Sequence, residues 1–149
     1  MSKRWLSFWN QKTRKQQRGE GVRHPTDADI WVPYGADKLA AGDDVYCVGI
    51  DAGELLLFGR LTVGKLAADL NHHESLDVWA ASSGSTEFRD DRVVSAAIVD
   101  ELVYLWTDET EHGFERDAFG AISASAFQGR SSIRQLWKGY EALDRVFAR

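Results

Sequence analysis

Apolar and polar residues follow the plainest strand pattern between Gly42 and Leu66, GDDVYCVGIDAGELLLFGRLTVGKL. Val45 to Ile50 and Glu54 to Val63 read as two strands, with Asp51, Ala52 and Gly53 between them. A short connection with Gly near its end predicts a hairpin, because glycine takes a positive φ without steric penalty. Leu55, Leu57, Leu61 and Val63 share one parity, and Leu56 and Phe58 the other. Both faces are thus apolar in the first half of the second strand, which predicts a closed sheet or one covered on both sides. Lys65 to Leu70 is a candidate start of a short helix.

Upstream, Arg4 to Trp9 (RWLSFW) predicts a strand dense in aromatics, with Trp5 and Trp9 on one face. Asn10 to Arg23 is polar and basic and reads as a short helix or a loop. Thr26 and Asp29 give a helix N-cap pattern, and Pro33 and Gly35 keep any helix there brief. Downstream, Leu76 to Ala81 and Leu102 to Trp106 are strand candidates, whereas Val93 to Val99 fits strand or helix. In Ser131 to Arg149, Ile133, Leu136, Trp137, Tyr140, Leu143 and Phe147 recur at three- and four-residue spacing, which predicts an amphipathic helix. Short strands with few, brief helices predict an α+β fold: a strongly curved, barrel-like mixed sheet with helices at its edges. A chain of 149 residues with no repeat and no linker predicts one domain over residues 1–149.

Charge changes this picture. The formal net charge is −5, but residues 1–24 hold seven Lys/Arg against one acid, Glu20. The rest holds 11 basic and 22 acidic residues. Lys12, Arg14, Lys15, Arg18 and Arg23 therefore form a candidate phosphate-contacting segment on an acidic body; a solvated, inconsequential charge run is the alternative. The single cysteine, Cys47, excludes a disulfide framework and a Cys-based zinc site, and points to a reducing, cytoplasmic compartment. Residues 1–17 carry no apolar stretch of a secretory signal, and no run approaches the ~20 apolar residues of a membrane span.

Catalytic patterns are absent: there is no phosphate-binding Gly loop, no Gly-x-Ser-x-Gly and no His-Glu-x-x-His. His72, His73 and Glu74 are the most metal-like spot, yet adjacent side chains diverge, so an exposed loop explains them better. His24 and His112 are isolated, and Asp90-Asp91 and Asp108-Glu109 read as turn and edge residues. No enzyme activity, cofactor or metal is expected. The six Trp are more informative. Trp106 and Trp137 are expected in the core. Trp31 lies in a Pro- and Gly-interrupted segment and Trp79 alternates with Asp77, so both are candidates to line a pocket, where a base stacks for ~1–3 kcal/mol per ring.

From Trp31 to Leu61 the chain resembles the PUA-like superfamily, in its EVE and YTH branches. The matching residues are Trp31, Pro33, Lys38-Leu39, Val45-Tyr46, Gly53, Phe58-Gly59 and Arg60-Leu61. Gly42-Asp43-Asp44-Val45 is similar to the Gly-Asp-x-Val motif of EVE domains, and Phe8-Trp9-Asn10 resembles the end of their first strand. The resemblance implies a curved sheet or pseudo-barrel and a pocket that accepts a flipped, often methylated base in an aromatic cage. It implies Trp31 as a cage wall, Trp9 and Asn10 at the rim with Asn10 reading a base edge, and Trp79 as a looser second wall. The expected partner is RNA or DNA with a modified base, with a protein partner supplying any enzymatic activity and no membrane. A scaffold domain without a nucleic-acid ligand is the alternative. An enzyme of the related ASCH kind would need a convergent Lys, Glu or Thr group, which the sequence does not assemble.

Overall fold

In the computed structural model, Asp44–Asp51 (β3) and Glu54–Ala68 (β4) pair antiparallel, with Asp51 opposite Glu54. The structure describes residues 2–9, 30–33, 39–68, 75–81, 86, 89, 91–106, 108–122 and 133–147, with backbone alone for 30–33, 65–68 and 75–81. Ala52 and Gly53 form the two-residue turn, at φ +50 and +78. Positive φ at both central residues is the turn whose twist matches the flanking strands. The hairpin predicted from the sequence is therefore present.

The remaining strands are Arg4–Phe8 (β1), Ile30–Pro33 (β2), Ser75–Ala81 (β5), Val103–Leu105 (β6), Glu111–Gly113 (β7) and Ile133–Lys138 (β8). Among the described residues, six strands form a mixed sheet in the order β2-β5-β4-β3-β1-β8, and β6 and β7 extend it beyond β8. Among the described strands only the β1–β3 pair is parallel. Two short helices, Ala96–Glu101 (α1) and Tyr140–Val146 (α2), complete the described elements, so the fold is α+β.

Side chains of β1 and β3 alternate between two apolar clusters, one on each face. Leu6, Tyr46 and Val48 join Val99, Leu143 and Val146 of the helices on one face. Trp5, Trp9, Val45 and Cys47 join Leu56, Phe58, Leu61 and Ile133 on the other. The expected two-sided cover is thus present at these strands.

Three sequence expectations are corrected. Leu55 and Leu57 do not share a face with Leu61 and Val63. Cys47 pairs with Gly59 and Val48 with Leu57, so Phe58 is an extra residue in β4 and inverts the parity beyond it. Lys65 to Ala68 continues β4 rather than opening a helix, because β5 pairs with it after a second register shift between Val63 and Lys65. Within the expected helix over 131–149, the described residues 133–147 form a strand, a corner and a helix: β8 runs from Ile133 to Lys138, and α2 begins at Tyr140. Gly139 makes the corner at φ +93, where an added Cβ would lie 2.7 Å from the Glu101 carbonyl oxygen. Trp137 therefore sits on a strand and is half exposed at 50%, not in the core. Trp106 is half-buried against the helix-side cluster.

Val93 to Val99, ambiguous by sequence, divides in two. Val93 bridges Leu56, and Ser95 caps α1 by accepting from the Ile98 amide. Trp31 and Pro33 fall in an edge strand, where Pro is tolerated because its missing N–H can face away from the ladder. No described helix is long and apolar enough to cross a membrane.

Candidate functional site

At the β2 edge, Ile30 pairs with Val78, Trp31 with Asp77 and Val32 with Leu76. On the other side of β5, Val63 pairs with Ala80, Lys65 with Trp79, Leu66 with Val78 and Ala68 with Leu76. One parity of this three-strand patch holds Ile30, Val32, Val63, Leu66, Leu76 and Val78. The other holds Trp31, Pro33, Lys65, Ala67, Ser75, Asp77, Trp79 and Ala81. Trp31 and Trp79 are thus diagonal register neighbours on adjacent strands, on the parity that carries the charged residues. Trp9, expected at a pocket rim, is instead buried at 6%, with its ring 6.2 Å from that of Phe58. Asn10, Lys12, Arg14, Lys15, Arg18 and Arg23 lie outside the described residues, as do His24, His72, His73 and Glu74.

The Gly42-Asp43 motif has a structural task. Gly42 takes φ +91, and Asp43 is buried. Its Oδ1 accepts the Lys3 amide at 2.8 Å, and its Oδ2 accepts the Trp5 indole N–H at 3.0 Å and the Ala40 amide at 3.1 Å. One carboxylate therefore fastens the start of β1 to the loop before β3. Short polar residues accept local backbone N–H groups well, so the motif is read as a turn device rather than a ligand contact.

On the helix side, the Tyr46 hydroxyl donates to Asp144 Oδ1 at 2.7 Å, and Arg60 Nη1 donates to the same oxygen at 2.6 Å. Arg60 and Arg92 lie 5.5 and 4.9 Å from the Phe147 ring centroid. Burial first, then the bond to Asp144, pushes the Tyr46 phenol up from its ordinary value. This cluster ties α2 to the sheet. Burial alone pushes the Cys47 thiol up, so it is an inert core group.

A recess of about 330 Å³ opens where β1, β8 and the end of β6 meet. It is lined by Trp5, Ile133 and Arg134, all nearly inaccessible, and by half-buried Leu105, Trp106 and Gln135. Exposed Lys3 and Glu109 stand at its mouth. The Arg134 guanidinium lies 4.6 Å from the Trp106 ring centroid, and its Nη1 donates to the Ile133 carbonyl at 3.0 Å. Sequence reading missed this site. Its members come from residues 3–5, 105–109 and 133–135, and only long-range strand pairing brings them together.

Beside it, Asp108 and Glu109 occupy an exposed turn, as expected. The Thr110 hydroxyl donates to Asp108 Oδ1 and contacts His112 Nε2 at 2.8 Å. The hydroxyl and amide of Thr110 hold the Asp108 carboxyl below the usual range. With its proton directed to Asp108, the Thr110 hydroxyl braces this turn beside the His112 ring. Among the described residues no group of three His, Cys, Asp or Glu could hold a metal ion. Comparison with protein-family models, curated proteins and solved structures gives no match, and nothing there identifies a PUA-like domain.

Proposed function

We propose that this chain is a non-catalytic binding module for nucleic acid, taking an unpaired or flipped base between the Trp31 and Trp79 positions of β2 and β5. The observation that carries the reading is the register of the β2 edge. The large aliphatic positions Ile30, Val32, Leu66, Leu76 and Val78 fall on one parity, continuous with the buried Val63. The two tryptophans fall on the other, with Asp77 and Lys65. A core tryptophan belongs on the apolar parity; a ligand-stacking one belongs with polar neighbours. Diagonal neighbours on adjacent strands lie roughly 7–8 Å apart. That separation is close to twice the ~3.4 Å spacing of nucleotides along a duplex strand, so one planar ring fits between two such positions.

Recognition needs no acid/base chemistry. The base leaves the stack and gains stacking on two indoles. The Asp77 position supplies an acceptor for an exocyclic amino group, the role carboxylates take toward cytosine. A methyl group on the base adds apolar contact, so a modified base is the preferred ligand. Lys12, Arg14, Lys15, Arg18 and Arg23 serve the phosphates in this reading, with Asn10 reading a base edge. The PUA-like architecture of the EVE or YTH type is part of the same proposal, supported by the β3–β4 hairpin and by the bulge at Phe58, since bulges bend strands. Trp9 is not part of the proposed site.

The test is a binding screen against single- and double-stranded oligonucleotides carrying plain and methylated bases, repeated over a salt series. The expected result is preference for single-stranded or mismatched targets and a slope in log K against log salt. Replacing Lys12, Arg14 and Arg18 by Glu flattens that slope by about one unit per lost phosphate contact. Absence of binding to every oligonucleotide contradicts the reading.

A further inference from the structure

We propose that the recess between β1, β8 and β6 is a second, independent site that takes a small zwitterion with an apolar side chain, the size of a free aromatic amino acid. It does not rest on the nucleic-acid reading, because β4 and β3 separate β2 and β5 from these strands in the sheet order.

Strand register assigns the face. Trp5 pairs with Gln135 and Ser7 with Ile133, so Trp5, Ile133 and Gln135 share one side of the sheet, and Lys3 has the parity of Trp5. Leu105 falls on that side too, because its neighbour Tyr104 pairs with Leu136. Arg134 falls on the other side and donates to the Ile133 carbonyl, so it is assigned no ligand contact.

Three features of the recess point to this ligand. The first is its unspent polar groups. Among the described residues, the side chains of Lys3, Glu109 and Gln135 form no hydrogen bond or ion pair; the bonds of Lys3 and Glu109 are made by their backbones. An ammonium and a carboxylate that line one recess without pairing offer a contact to each end of a zwitterion. An ion of single charge would be repelled by one of them. The Gln135 amide adds a neutral donor and acceptor.

The second is the backbone at Glu109. The Trp106 amide donates to the Thr110 carbonyl and the Glu109 amide to the Trp106 carbonyl. The same two bonds recur at Asp117, Gly120 and Ala121, where the equivalent position is a glycine at φ +83. Glu109 takes φ +66, a conformation that favours Gly or Asn. A strained residue whose side chain lines a recess marks a functional position.

The third is size. The recess measures about 330 Å³, whereas a cavity of about 150 Å³ holds one benzene. There is room for a ring and a short polar head. Trp5, Leu105 and Ile133 supply apolar surface, and Trp5 spends its indole N–H on Asp43.

The probe is L-phenylalanine. The controls are 3-phenylpropionate, which lacks the amine, and L-phenylalaninamide, which lacks the carboxylate. Binding is followed through the Gln135 side-chain amide and Leu105 methyl resonances. The expected result is saturable shifts with L-phenylalanine at Kd about 1 mM or tighter, and binding of each control weaker by about threefold or more. The net charge of −5 would by itself favour the cationic amide over the zwitterion, so this order separates the recess from the general field of the protein. Glu109→Gln removes the advantage of L-phenylalanine over 3-phenylpropionate, and Lys3→Gln removes its advantage over the amide. Both side chains are exposed, so both variants stay folded, which thermal melting checks. No saturable shift with L-phenylalanine, either control binding as tightly as it does, or either advantage kept in its matching variant overturns the proposal.

Discussion

The Tyr46 hydroxyl reaches Asp144 at 2.7 Å across 98 positions of sequence, joining the middle of the sheet to the last described helix. Arg60, the register partner of Tyr46, holds the same carboxylate oxygen. Tyr46 is fully buried, so loss of its hydroxyl leaves Asp144 with Arg60 but removes one bond of the brace. Tyr46→Phe is expected to cost about 1–2 kcal/mol at neutral pH, measured by chemical denaturation.

The same residue sets a pH dependence. Its phenol is raised above the ordinary value of 10.0, by burial and by Asp144. The native state therefore keeps the proton where the unfolded chain releases it. This contribution is fully present below about pH 10 and is lost as pH rises above that value. Cys47, ordinarily at 9.0, is shifted in the same direction by burial. Melting temperature is expected to fall from about pH 9 upward, and less steeply in Tyr46→Phe. A variant profile as steep as the parent's contradicts the assignment.

Asp43 accepts three hydrogen bonds, one of them from the buried indole of Trp5. Asp43→Ala strands that donor and two backbone amides, at an expected cost of about 3 kcal/mol or more. Asp43→Asn, which keeps one acceptor oxygen, is expected to cost less. Equal stability of the two variants indicates that the charge, not the geometry, holds the junction.

Ala52 sits at φ +50 in the β3–β4 turn, a conformation that costs an L-residue roughly 1–2 kcal/mol. Asn tolerates it and is the favoured partner of the following Gly53. Ala52→Asn is expected to raise stability by about 0.5–1 kcal/mol, and Ala52→Val to lower it. Thermal melts of the two variants moving in the same direction contradict the turn assignment.

The hairpin was legible because both its strands are apolar and its turn holds a glycine at a position that needs one. The region after Ile133 was not. Ile133, Leu136, Tyr140 and Leu143 fit a helical spacing, and the residue that breaks it, Gly139, acts through a positive φ and the nearby Glu101 carbonyl. Neither is visible without the fold. The parity of β4 failed at Phe58, because one inserted residue exchanges the faces of everything after it. Trp5 and Trp9 were correctly placed on one face, but depth along that face depends on Phe58 and other residues far away in sequence. Trp31 and Trp79 each stood out by their local setting. What joined them was the pairing of β2 with β5, a contact between segments that carry no shared motif.

The most direct measurement is a double-mutant cycle on Trp31→Ala and Trp79→Ala, read as affinity for a single-stranded oligonucleotide with one methylated base. A base held between the two positions loses about 1–3 kcal/mol in each single variant. The double variant then loses less than the sum, with a coupling of about 0.5 kcal/mol or more, while thermal melting shows all three proteins folded. Additive losses within about 0.3–0.5 kcal/mol, or unchanged affinity in either single variant, would contradict a shared stacking site.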